Sequence, residues 1–117
     1  MILILSSDAV AAALLGALIE TIGYSVNFAR PSERVDDTIR RVRPKVCLVD
    51  SSDRELYGDG FLGRAAMRGI SVVIFGSAQA LERVRALSVE HSFDTILVPP
   101  DTRKLADTLH GAMKRAG

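Results

Sequence analysis

The chain has 117 residues, 48% of them apolar and 25% charged, enough for one ordinary globular domain that buries roughly two-thirds of its unfolded surface, and too few for two. With 15 Lys and Arg against 14 Asp and Glu, the net charge of +1 is too weak a field to make nucleic acid or an anionic membrane surface the main partner. A single cysteine, Cys47, rules out an internal disulfide framework and a four-cysteine zinc site.

The run Ile2 to Leu5 is apolar without alternation, as expected of a strand buried on both faces of a parallel sheet. It has no basic flank and no small-residue cleavage site, and no window approaches about 18 continuous apolar residues, so the chain reads as cytoplasmic and without a membrane span. Ser7 or Asp8 then offers a side-chain oxygen to cap a helix in which Val10, Leu14 and Leu18 recur every four residues, with Leu15, Ile19 and Ile22 beside them, and Gly23 ends it. A second strand is expected over Ser25 to Ala29. A helix opening after Pro31 follows, with Val35, Ile39 and Val42 on one face.

Val46 to Asp50 is the third strand, and it carries Cys47 as a core thiol. A loop to Gly60 leads to a helix over Phe61 to Arg68. The second half reads as strand Val72 to Phe75, helix from Ala78 to Glu90, strand Thr95 to Val98, and helix Thr102 to Arg115 with Leu105, Leu109 and Met113 at four-residue spacing. Five βα units with right-handed crossovers predict an α/β fold: a doubly wound parallel sheet in a three-layer sandwich, forming a single domain over 1–117.

In such a sheet a ligand sits beyond the carboxyl ends of the strands, here Ser6-Ser7-Asp8, Asp50-Ser51-Ser52, Gly76-Ser77 and Pro99-Pro100. With strand order 2-1-3-4-5, Asp50 lies close to Ser6 and Ser7, where it can accept hydrogen bonds from Ser6, Ser7 or Ser77. The first turn has no glycine and matches no phosphate-binding fingerprint. His91 and His110 fall late in the fourth and fifth helices, away from the strand ends, and no Gly-x-Ser-x-Gly elbow is present. Arg40, Arg41, Arg43 and Lys45 put four cations in six residues, a pattern that suits a solvated helix end.

Several segments together resemble the response-regulator receiver domain of two-component signalling, with its flavodoxin-like fold, over nearly the whole chain. Ile2-Leu3-Ile4-Leu5 followed by Ser6-Ser7-Asp8 resembles the family's first strand and acidic pair, with serines in place of the pair. Arg43-Pro44-Lys45-Val46-Cys47-Leu48-Val49-Asp50 resembles the segment ending in the phosphoaccepting aspartate, which places that role on Asp50. Gly58-Asp59-Gly60 is similar to the glycine-bearing approach to the third helix. Gly76 stands where the family has Thr or Ser, with Ser77 one residue later; Thr95 stands for the switch aromatic, and Val98 for the lysine before the kept Pro99.

The resemblance implies a degenerate phosphorylation pocket. Phosphoryl transfer to a carboxylate needs a divalent cation and a fixed positive charge to hold the spreading charge. One carboxylate beside neutral hydroxyls binds Mg²⁺ weakly or not at all, Asp8 contributes only if the strand end shifts, and Val98 supplies no cation. The expectation is a non-enzymatic pseudo-receiver with no cofactor, acting through protein–protein interaction with a signalling protein, a histidine kinase or a second copy of itself. The alternatives are a regulator still phosphorylated at Asp50, and an enzyme or flavin carrier on the same fold. The resemblance places the interaction face on the fourth helix, fifth strand and fifth helix, with Glu82, Arg83, Arg85, Arg103 and Lys104.

Overall fold

A computed structural model describes residues 1–53, 59–87 and 92–117. Gly58, His91 and the stretch of the fourth helix expected to reach Glu90 lie outside these. Five strands, β1 (Ile2–Leu5), β2 (Val26–Phe28), β3 (Val46–Asp50), β4 (Ser71–Gly76) and β5 (Asp94–Leu97), form one parallel sheet in the order β2-β1-β3-β4-β5. They alternate with α1 (Ala9–Ile22), α2 (Val35–Val42), α3 (Asp59–Met67), α4 (Ala78–Leu87) and α5 (Thr102–Arg115). The flavodoxin-like sandwich expected from the sequence is the observed architecture.

Because strand side chains alternate, β1, β3 and β4 each feed two cores. Leu3, Leu5, Cys47, Val49, Val72 and Ile74 pack beneath α2, α3 and α4, against Ile39, Phe61, Leu62, Ala65, Leu81 and Val84. Ile2, Ile4, Val46, Leu48, Val73 and Phe75 pack beneath α1 and α5, against Leu15, Ile19, Leu105, Leu109 and Ala112. Burial pushes the Cys47 thiol up to about 12, so it stays neutral and inert inside the first of these cores.

The face of α1 differs from the expected stripe. Val10 and Leu14 are 70% and 64% exposed, and the helix turns Ala12, Leu15, Gly16 and Ile19 inward. The reason is close approach: a Cβ on Gly16 would lie 3.0 Å from Cζ of Phe28, so the helix settles with its small residues against β2. Asp8, not Ser7, is the N-cap, accepting from the N–H groups of Val10 and Ala11 at 3.0 and 3.1 Å. At the other end of α1, Tyr24 hydrogen-bonds His110 Nδ1 on α5, the ring centroids 5.4 Å apart.

Pro31 does not open α2. It lies in a turn closed by the Glu33 N–H on the Arg30 carbonyl at 3.0 Å, with Ser32 at φ 63, and α2 begins four residues after the proline. Edges also differ by one or two residues: β2 is shorter than expected, β4 is longer, and β5 begins and ends one residue earlier.

The turn before α2 is pinned by charge. Arg41 donates from Nε and Nη2 to both carboxylate oxygens of Glu33 at 2.8 Å and from Nη2 to the Phe28 carbonyl at 3.0 Å. This bidentate grip, with the Arg30 N–H, holds the Glu33 carboxyl well below the usual carboxylate range. A depressed folded-state pKa means the contribution is complete above the unfolded value near 4.5 and is lost as pH falls toward the lower folded value. Glu33→Gln is therefore expected to lower the urea midpoint at pH 7 and to converge on the parent as the pH drops below about 4. A constant gap from pH 7 to pH 2 would show that the ion pair does not set this acid dependence.

Candidate functional site

Strand register assembles the site. Leu5 pairs with Val49, so the next residues, Ser6 and Asp50, emerge side by side; Asp50 pairs with Phe75, so Ser51 emerges beside Gly76; Gly76 pairs with Leu97, and Val98 follows. Asp50, 9% exposed, is the buried carboxylate of this end of the sheet. Ser6 Oγ donates to its Oδ2 at 2.7 Å, while the Ser52 N–H and Ser52 Oγ donate to its Oδ1 at 2.9 and 2.8 Å.

Of the alternatives Ser6, Ser7 or Ser77 expected to donate to Asp50, it is Ser6 that does so. Ser7 turns to Asp53, donating from its N–H at 3.3 Å and from Oγ at 3.1 Å. Ser77 caps α4, its Oγ accepting from the Ala80 N–H at 3.2 Å. The partner the sequence reading missed is Ser52, held by local geometry. Asp50 bonds the N–H two residues on, and the Asp53 N–H closes the turn on the Asp50 carbonyl at 3.0 Å. An aspartate followed by two serines and a second aspartate is the turn pattern that could have disclosed both Ser52 and Asp53.

Three acidic residues, Asp8, Asp50 and Asp53, are tied to Ser6 and Ser7 at this end of the sheet, the carboxylate of each engaged by hydrogen-bond donors. Mg²⁺ asks for hard, charged oxygens free to coordinate. Asp50 already accepts three hydrogen bonds; Asp53 accepts two from Ser7, and Asp8 spends one oxygen on the amides of α1. Among the described residues, no group of three or more His, Cys, Asp or Glu side chains converges.

On the β4 side, a Cβ built on Gly76 would lie 2.0 Å from Ser51 Oγ and 2.9 Å from Ser51 Cβ. The buried Ser51 side chain thus fills the place where a side chain at position 76 would stand. The Val98 N–H donates to the Gly76 carbonyl at 3.0 Å, Val98 packs partly buried against the α1–α5 core, and the Val98–Pro99 peptide is cis. Val98, expected from the resemblance to stand where the family has a lysine, is thus an apolar side chain packed against the core. Thr95, expected from the resemblance at the switch position, accepts from Arg85 Nη2 at 2.8 Å, which ties β5 to α4.

Beside this site, α4, β5 and α5 enclose a cleft of about 540 Å³. Glu82, Arg85, Lys104, Asp101 and Asp107 line it together with Leu97, which is 55% exposed. Arg83 and Arg103 are exposed on the same two helices but do not line the cleft.

No family model and no curated protein sequence matches the chain. Solved structures do. The chain is similar to a response regulator receiver domain protein from Clostridium thermocellum, with TM-score 0.74 and 18% identity over 97% of this chain and 94% of that one. It is similar to the N-terminal signal receiver domain of a two-component response regulator from Bacteroides fragilis, with TM-score 0.75 and 23% identity over 96% and 94%. It is also similar to a pilus assembly-related protein from Burkholderia pseudomallei, with TM-score 0.70 and 22% identity over 99% and 90%. The chain has the fold of response-regulator receiver domains.

Proposed function

We propose that the chain is a receiver-fold signalling module that works through protein–protein contact, without a Mg²⁺-dependent phosphorylation cycle at Asp50. One observation carries the reading. The first-strand position facing Asp50 is a hydroxyl, Ser6, which donates to the carboxylate instead of adding a second negative charge to bind a cation. Asp50 in this setting completes a polar strand-end cluster. Val98 contributes no positive charge to an aspartyl phosphate, and Ser51 closes the space at Gly76.

The working surface is the α4–β5–α5 cleft, where Glu82, Arg85 and Lys104 surround the exposed Leu97. Charges of both signs on one face suit a signalling partner, or a second copy in which opposite charges pair across a two-fold axis.

Intact mass and amide NMR with and without Mg²⁺ and acetyl phosphate, beside Asp50→Asn, test the reading. No adduct and no Mg²⁺-dependent shift around Asp50 are expected. A labile adduct of about 80 Da, roughly one phosphoryl group, that disappears in Asp50→Asn would instead establish a phosphorylated regulator.

A further inference from the structure

The opposite end of the sheet carries a second, differently charged surface. Between the C-terminal ends of α2 and α3 lies a cleft of about 430 Å³ lined by Ile39, Arg40, Arg43, Pro44, Arg68 and Ile70. Its charge is one-sided: three guanidinium groups and no carboxylate line it. Ile39, Pro44 and Ile70 are buried and form an apolar floor. Among the described residues neither Arg43 nor Arg68 has a carboxylate within ion-pair distance. Among the described residues Arg40 meets only Asp37, three residues back and exposed, a pairing weak enough to yield to an incoming anion. Asp36 is drawn away to Arg64 at 3.4 Å.

Arg43 is also an odd choice for its backbone. It ends α2 in the left-handed region at φ 51, where α1 uses Gly23 and the turn after α3 uses Gly69. A side chain there carries a steric cost that glycine avoids.

We propose that this cleft docks an acidic segment of a partner protein, its carboxylates taken by Arg40, Arg43 and Arg68 and an apolar side chain seated on Ile39, Pro44 and Ile70. Guanidinium groups pair with carboxylates through parallel hydrogen bonds. A bare phosphate would leave the floor unmet. A nucleic-acid backbone needs a longer basic stripe than three residues on a chain of net charge +1. The surface is distinct from the α4–β5–α5 cleft and holds whether or not Asp50 is ever phosphorylated.

The test is a titration of the whole 117-residue chain with a blocked hexapeptide of glutamates and leucines, following amide and arginine Nε resonances. Shifts should centre on Ile39, Arg40, Arg43, Arg68 and Ile70. Arg43→Gly combined with Arg68→Gln should weaken binding about 10-fold or more, as loss of two charge-assisted contacts implies. Arg43→Gly alone should leave the melting temperature unchanged or raised, since it relieves the backbone. Four results would overturn the proposal: no binding, equal binding of a glutamine-for-glutamate peptide, equal affinity for inorganic phosphate or duplex DNA at the same residues, or equal weakening by Arg83→Gln with Arg103→Gln. A drop in Arg43→Gly stability with unchanged binding would also overturn it, marking Arg43 as a helix-end cation only.

Discussion

Gly76→Ala should destabilise the protein by about 1–3 kcal/mol, the range for forcing a side chain into a packed site, although it adds a single methyl group. The new Cβ would lie 2.0 Å from Ser51 Oγ and 2.9 Å from Ser51 Cβ, so Ser51 must leave its rotamer and the strand ends must part slightly. Both strands resist. The Ser51 N–H is bonded to the Phe75 carbonyl at 2.9 Å and the Val98 N–H to the Gly76 carbonyl at 3.0 Å, which fixes β3, β4 and the residue after β5 together at this point. Ser51→Ala removes the nearer of the two clashing atoms and leaves the Cβ contact, so the double variant Ser51→Ala with Gly76→Ala should recover part of the loss. That gives a coupling of about 0.5–3 kcal/mol in a double-mutant cycle. Additive effects would mean that position 76 is restricted by something other than Ser51.

This coupling shows what the sequence could and could not disclose. The strands were legible because Ile2 to Leu5, Val46 to Val49 and Val72 to Phe75 are runs without alternation, which only a sheet covered on both faces stabilises. The orientation of α1 was not, because its first eleven residues carry no charge and any face of them satisfies a periodicity argument. The Phe28 ring against Gly16 decides it, and that contact belongs to tertiary structure. Pro31 misled for a related reason: proline suits a helix start and the second position of a turn equally, and Ser32 at φ 63 selects the turn.

At the site, Asp50 and its neighbour Ser6 followed from strand order, since parallel pairing puts the residues after Leu5 and Val49 side by side. The distribution of the hydroxyls did not follow. Ser6, Ser7, Ser52 and Ser77 are chemically alike, and their partners are set by which turn each one closes: Ser52 falls within the Asp50–Asp53 turn, Ser77 is claimed by the first turn of α4, and Ser7 is left facing Asp53. The basic run at Arg40 to Lys45 likewise divides only in three dimensions. Arg41 is consumed by Glu33, while Arg40 and Arg43 join Arg68, distant in sequence, around one cleft.

Ser6→Asp should produce the largest response to solution conditions. The substitution removes the hydroxyl that donates to Asp50 Oδ2 at 2.7 Å and sets a second carboxylate beside it. Loss of a hydrogen bond to a charged group costs about 1.5–3 kcal/mol, and like-charge repulsion adds to it, so a deficit of about 2–4 kcal/mol is expected at pH 7 without divalent cation. In a domain of this size that is a fall of roughly 10–20 °C in melting temperature. Two treatments should reverse it. Acidification toward pH 5 lets the pair share a proton, so the gap to the parent should narrow as pH falls. Mg²⁺ at a hundred-fold excess over its dissociation constant should return about 2.7 kcal/mol, because two adjacent carboxylates supply the charged oxygens that Ser6 and Asp50 together lack. Ser6→Ala separates the two causes: it loses the donor without adding charge, so its smaller deficit should be insensitive to Mg²⁺. Calorimetry of the parent and both variants from 0 to 20 mM MgCl₂ (about the range needed to saturate a weak carboxylate site) reads all of this. A parent melting temperature that itself climbs with Mg²⁺ would sink the account of the pocket, since it would mean that Asp50 and Asp53 already bind the cation without help from β1.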